Sequence, residues 1–277
     1  MTQPAQILPN LIGGLGNQLF IASAAYAVGK LHSCPVYLCN ATDNAHNKIG
    51  HDYRNTILKG FGEIIPRTLK QLIESGECTN CKIYSHPDFM PWNPFEAVPP
   101  VIMYGYYQHL AHIEEFEDEI REKLLTNLDP IRQELILNTN LNFKTTAFIH
   151  IRRGDYVGKS DFHYLQPIDY YKQAIDYIKT KGTIEKILIF SDDIRWIKEQ
   201  PFFNSLEGAI LVNEPDELRA MSLMSLCEAG AVCANSTFSW WGAFLCSKIA
   251  PICVPERWIN AKVIHLFPSS WKVIYTP

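Results

Sequence analysis

The segment His150-Ile151-Arg152-Arg153-Gly154-Asp155-Tyr156 sets two arginines beside a histidine and a carboxylate, between an apolar run and a glycine turn. Guanidinium groups stay charged at any working pH and grip phosphate through paired N–H donors, so this segment suits a diphosphate clamp. The competing role is an arginine pair fixed by neighbouring carboxylates. Phe190-Ser191-Asp192-Asp193 ends a second apolar run. Asp192 and Asp193 can accept from ribose hydroxyls or a guanine edge, or hold a divalent metal. Asp192 can equally cap the helix that follows, which is the better expectation from this segment alone. Asn235-Ser236-Thr237-Phe238-Ser239-Trp240-Trp241-Gly242 follows a third apolar run. Small hydroxyl residues at a helix start, with free backbone N–H groups, make an anion site; an ordinary cap beside a Trp-rich core is the alternative.

Gly13-Gly14-Leu15-Gly16-Asn17-Gln18 lies between an apolar run and an Ala-rich stretch. Gly14 and Gly16 match part of the dinucleotide fingerprint, but Leu19 stands where its third small residue belongs. Cys39-Asn40 stands where its acidic residue belongs. A nicotinamide dinucleotide is therefore disfavoured, while close backbone approach to a ligand remains available. Cys78 and Cys81 form one C-x-x-C without a second pair at zinc-ligand spacing. No Walker A sequence occurs. Arginine pair, strand-end carboxylates, hydroxyl-rich helix start and glycine loop together suit a nucleotide diphosphate whose leaving group is stabilised by protein groups.

Such residues need elements to position them. Apolar runs at 7–12, 36–39, 101–107, 146–151, 186–190, 231–234 and 250–254 predict strands; 18–31, 64–75, 114–125, 167–181, 216–229 and 238–247 predict helices. Residues 40–60 and the segment 86–100, with prolines at 87, 91, 94, 99 and 100, predict loop. The alternation is that of an α/β protein, whose sites lie at the carboxyl ends of the strands. The expected division is an N-terminal lobe over 1–144 and a C-terminal lobe over 145–277.

The bulk composition limits the partners. Among 277 residues, 47% are hydrophobic and 19% charged, which excludes a disordered chain. A net charge of −4 lacks the basic footprint of a nucleic-acid binder. No apolar stretch reaches the ~18 residues of a spanning helix, and the first residues lack a signal-peptide pattern. The expectation is a soluble, cytoplasmic protein, with peripheral membrane contact left open. Eight cysteines are too few for a disulfide scaffold and fit a reducing compartment.

The motifs GGLGNQLF at 13–20, HIRRGDY at 150–156, FSDD at 190–193 and ANSTFSWWGAFL at 234–245 occur in the order of a known family. Over about residues 7 to 260 the chain resembles glycosyltransferase family 11, the α-1,2-fucosyltransferases. The resemblance implies a GT-B-like fold with two Rossmann-type lobes and a donor site in the cleft. It implies inverting transfer of L-fucose from GDP-β-L-fucose to the 2-hydroxyl of a terminal galactose, in polysaccharide or glycan synthesis, with no metal and no cofactor. Carried over by motif, Arg152 contacts the diphosphate, Arg153 does the same or orients the strand end, and His150 lies beside the guanosine. Asn235, Ser236, Thr237, Phe238 and Ser239 line the phosphate side. Asp192 or Asp193 holds the nucleoside or supports the site. Gly14, Gly16, Asn17 and Gln18 face the fucose and the acceptor, and Trp240 and Trp241 are core or wall. The base stays open among Asp155, Asp161, His163 or none. In related α-1,6 enzymes a glutamate on this loop is the base, and Asp161 is the nearest carboxylate here. Ala220 stands where relatives carry an acidic residue, and Ala229 where histidine is common, so the guanine contact is unassigned. Two alternatives remain: another sugar-nucleotide transferase on the same scaffold, or a glycan-binding module without catalysis.

Overall fold

The computed structural model describes residues 5–41, 50–87, 90, 93–260 and 266–276. Part of the polar 40–60 stretch and part of the proline-rich 86–100 segment, Pro91 included, lie outside the described residues. The chain forms two compact units, Met1–Leu128 and Asp129–Pro277.

The N-terminal unit contains β1 (Ile7–Pro9), α1 (Leu15–His32), β2 (Tyr37–Asn40), β3 (Glu63–Thr68), α2 (Leu69–Glu74), β4 (Lys82–Ser85) and β5 (Val101–Tyr104). Its strands pair in parallel as β1-β5-β4 and β2-β3, and a parallel bridge from Ile7 to Val36 joins the two sets. The order is therefore β3-β2-β1-β5-β4, and the direction of winding reverses between β1 and β5. The stretch expected as a helix over 64–75 splits: its first part is β3, and Thr68 then opens α2 through a capping box with Gln71. Pro66 inside β3 withdraws a ladder donor, which an edge strand tolerates.

Helix α3 (Glu117–Asn138) crosses the boundary between the units. It runs past the expected end at 125 and through Pro130, because Ile120, Leu124, Leu128 and Leu135 continue one buried stripe at helical spacing.

The C-terminal unit continues with β6 (Thr146–Ile151), α4 (Gly154–Val157), α5 (Ile168–Lys179), β7 (Lys186–Ser191), α6 (Ile194–Glu199), α7 (Pro201–Asn204) and β8 (Ala209–Leu211). It then adds α8 (Glu217–Leu226), β9 (Gly230–Val232), α9 (Thr237–Phe244), β10 (Ile252–Pro255) and β11 (Lys272–Ile274). The sheet is parallel, in the order β11-β10-β9-β6-β7-β8. β6 is central and buried throughout. Ala147, Ile149 and Ile151 pack with α5 residues on one face, while Phe148 packs with residues of α8 and α9 on the other. This two-sided burial explains the unbroken apolar runs. Winding reverses between β6 and β9, so this unit too has a switch point, where open α/β sheets bind ligands.

Candidate active site

The turn leaving β6 is tied to the end of β7 by one carboxylate. Asp192 Oδ1 accepts from the backbone N–H of Arg153 at 2.8 Å and of Gly154 at 3.1 Å, and its Oδ2 lies 3.1 Å from Arg152 Nε. A Cβ on residue 154 would stand 2.6 Å from Asp192 Oδ2, so close approach requires glycine there. Asp155 holds the other side of Arg152, with Nη2 donating to Oδ1 at 2.6 Å. Arg153 turns elsewhere: its Nε is 3.4 Å from Asp193 Oδ2, and its guanidinium lies 4.0 Å from the centre of the Trp196 ring. Asp193 also caps α6 by accepting from the N–H of Trp196. The cap expected of Asp192 thus belongs to Asp193, and Asp192 instead fixes the arginine turn. Two arginines thus face three carboxylates, and Arg152 is held between Asp155 and Asp192.

His150 is buried on the Phe148 face, its ring 5.7 Å from that of Phe238. Burial pushes its pKa down to about 4, so the ring is neutral near pH 7, and its Nδ1 has no hydrogen-bond partner among the described residues. Tyr156 stacks on His163 at 3.8 Å, and its hydroxyl donates to the carbonyl of Asn235. Burial holds the Tyr156 hydroxyl up at about 12 and draws His163 below its usual range. Asp161 is exposed on the same loop.

Across the switch point, Asn235 is a clasp: its Nδ2 donates to the carbonyls of Tyr164 at 2.8 Å and Trp258 at 2.7 Å. Ser236 caps α9 by accepting from the N–H of Phe238. Ser239 is fully buried, its hydroxyl donating to the carbonyls of Ala234 and Ser236. Its side chain therefore braces the helix start and does not line an open surface. Thr237 and Phe238 are the half-exposed members of the segment. α9 sits close to α8 because a Cβ on Gly242 would meet Met224 Sδ at 2.7 Å. Trp240 and Trp241 are fully buried, and the indole N–H of Trp240 donates to the carbonyl of Leu266. Ala220 lies in the core between β6 and α8, and Asp216, one turn earlier, caps α8 by accepting from the N–H groups of Leu218 and Arg219.

In the N-terminal unit, Gly13 has φ 75°, and a Cβ there would lie 2.6 Å from Asn17 Nδ2. Gly14 precedes α1 in extended conformation, and Gly16 is buried in its first turn. Gln18 is buried, with Nε2 donating to the carbonyl of Gly13 at 2.8 Å. Asn17 is half-buried and accepts from Gln108 Nε2 at 3.2 Å. The sequence reading singled out Gly14 and Gly16; the left-handed backbone falls at Gly13. Gln108 carried no signal, being 91 residues from Asn17. Cys39, Cys78 and Cys81 are all free thiols; burial pushes the thiol of Cys78 up to about 11 and that of Cys39 likewise. Among the described residues no three His, Cys, Asp or Glu side chains group so as to hold a metal ion, and no helix is long and apolar enough to cross a membrane.

The chain is similar to several known glycosyltransferases. The chain is 36% identical over 169 residues to the O-antigen biosynthesis glycosyltransferase WbnK of Escherichia coli, a match covering 56% of the chain and only 54% of that relative. It is 25% identical to an α-1,2-colitosyltransferase of Escherichia coli over 96% of the chain and 97% of the relative. It is also 25% identical to the galactoside 2-α-L-fucosyltransferase of Caenorhabditis elegans, over 94% of the chain and 76% of the relative. The crystal structure of NodZ α-1,6-fucosyltransferase co-crystallised with GDP superposes with a TM-score of 0.53 at 11% identity, covering 88% of this chain and 93% of that one. The fold is thus α/β and GT-B-like. The model of glycosyl transferase family 11 matches residues 95–273, which include the arginine turn, the β7 end and the α9 start, and the chain belongs to that family.

Proposed function

We propose that this glycosyltransferase moves L-fucose from GDP-β-L-fucose to the 2-hydroxyl of a terminal galactose, inverting the anomeric carbon. The carrying observation is Arg152, held by Asp192 and Asp155 at the switch point of the C-terminal sheet. The names of the α-1,2-linking relatives support the linkage, and that of the galactoside fucosyltransferase supports both sugars. In the step, the acceptor oxygen bonds to C1 of fucose as the bond from C1 to the β-phosphate oxygen breaks. GDP leaves with the bonding pair, and the acceptor hydroxyl gives up its proton. Arg152 stabilises charge growing on the leaving phosphate, a contact stronger in the transition state than before it. The start of α9 at Ser236 and Thr237 adds backbone N–H donors on the same side. Phosphate binding loosens the Arg152–Asp155 pair, which frees Asp155 as a proton acceptor; Asp161 and His163 are the other candidates on that loop. Asp192 and Asp193 are engaged by backbone N–H groups and arginines, so this reading assigns neither to magnesium.

The test is transfer from GDP-fucose to a panel of galactose-terminated acceptors, with the linkage read by NMR. An α-1,2 product is expected; transfer only from UDP- or CMP-sugars, or no transfer to any acceptor, overturns the reading. A second reading, colitose in place of fucose, is favoured by the relative of that name, and a colitose donor run on the same acceptors separates the two.

A further inference from the structure

The switch point of the N-terminal unit lies beyond the carboxyl ends of β1 and β5, and the loops leaving those two strands meet at the amides of Asn17 and Gln108. The loop after β5 is held in a costly conformation. Gly105 has φ 131°, and a Cβ there would stand 2.6 Å from the carbonyl oxygen of His86. Tyr107, fully buried, has φ 52°, a left-handed backbone that a bulky aromatic residue rarely adopts. Packing holds it there. Its ring stacks on His86 at 5.5 Å and meets His112 edge-on at 5.4 Å, and its carbonyl accepts from His112 Nδ1 at 2.6 Å. The turn delivers the next residue, the buried Gln108, to Asn17. On the other loop, Gly13 leaves room for Asn17 Nδ2, and Gln18 pins the carbonyl of Gly13. Backbone strain of this kind persists where the surroundings over-determine it, and it collects at functional sites.

We infer that Gln108 is a positioning residue for substrate: by donating to Asn17 Oδ1 it fixes the orientation of the Asn17 amide and presents Nδ2 as a donor to a sugar oxygen. Gln108 acts through Asn17 and touches no ligand itself. The inference rests on the transferase reading above, in which Asn17 faces the sugars. It adds a residue outside every motif and a reason for the strained turn that carries it.

The test is a double-mutant cycle of Asn17→Ala and Gln108→Leu, read as kcat/KM for transfer from GDP-fucose to a galactoside. Gln108→Leu is expected to lose roughly ten- to a hundred-fold, the scale of a misplaced contact group. The double variant is expected to lose no more than Asn17→Ala alone. Gln108→Glu supplies a readout that loss of packing would not give. Its carboxylate cannot donate to Asn17 Oδ1 but its acid form can, so its activity relative to the parent climbs as pH falls toward the carboxyl range. A loss under two-fold in Gln108→Leu, losses that multiply in the double variant, or a flat pH ratio for Gln108→Glu overturns the proposal. If the parent transfers no sugar at all, the transferase reading is what has failed. The same cycle read as thermal-unfolding shifts then decides this one: non-additive shifts sustain the Asn17–Gln108 coupling, and additive shifts end it.

Discussion

At the carboxyl edge of the C-terminal sheet, Arg152 and Arg153 face Asp155, Asp192 and Asp193, whereas at the same edge of the N-terminal sheet the amides of Asn17 and Gln108 meet and that of Gln18 holds the Gly13 carbonyl. Each unit reverses its winding beside its own first strand, yet the chemistry placed there differs. An ion-paired cluster can exchange a carboxylate for a phosphate, so it suits an anion. Amides offer directed donors and acceptors without charge, so they suit hydroxyls. Under the proposed function, the contrast also explains why a net charge of −4 is no guide to an anionic donor. Charge decides binding only where it is gathered, and here it is gathered on one turn.

The sharpest way to break this contrast is Arg152→Ala. We expect kcat/KM to fall about a thousand-fold, the scale of losing an arginine from phosphoryl stabilisation, with circular dichroism unchanged. Near-normal turnover would remove the C-terminal unit's claim to the diphosphate. A matched pair of glycine variants comes next. Gly154→Ala pushes on Asp192 Oδ2, and Gly13→Ala pushes on Asn17 Nδ2, each from 2.6 Å. Activity should fall roughly ten-fold or more in each. The former should act mainly through the donor KM and the latter through the acceptor KM. The same parameter moving in both would erase the distinction drawn here.

A smaller effect concerns stability and pH. His150 and His112 are both buried and neutral, with pKa values drawn down to about 4 and about 3. Unfolding returns them to an ordinary value near 6.5, so below that pH the unfolded chain binds more protons than the folded one. Stability is therefore highest above about pH 6.5 and is lost as pH falls toward the folded values. His150 alone accounts for roughly 3 kcal/mol of that loss. Urea unfolding at pH 7 and pH 4.5 should show the decline, and His150→Leu should shallow it. The smallest expected effect is none: transfer should persist in EDTA. A strict requirement for added magnesium or manganese would mean that Asp192 and Asp193 leave their present partners to hold it.

Much of the C-terminal unit was legible in the sequence. β6, β7, β9 and β10 are buried on both faces and read as unbroken apolar runs, and the motifs sit where those strands end. The strands without a sequence signal, β4, β8 and β11, are short and lie at sheet edges, where exposed apolar residues such as Ile83 and Ile210 blur any pattern. The helix expected over 64–75 gives way to β3 in its first part: Ile64, Ile65, Leu69, Leu72 and Ile73 fall on one side of a helical wheel, and nothing local in Glu63–Thr68 alternates to mark the strand that pairs with β2. Within the site, residue types pointed to the arginine turn but not to its wiring. Nothing in FSDD distinguishes a carboxylate that accepts from the next strand's turn from one that caps a helix. Residue type does not separate Ser239 from its neighbours, although its hydroxyl faces the core. The pairing of Asn17 with Gln108 depends on a winding reversal that no local pattern records.

One contact described above also gives the protein a built-in optical signal. Trp196 lies under the guanidinium of Arg153, whereas Trp240 and Trp241 are sealed in the core. Any ligand that re-aims Arg153 changes the electric field across that one indole. Binding that moves Arg153 can therefore be followed as a change in tryptophan emission, without a label and without turnover, and Trp196→Phe should silence it.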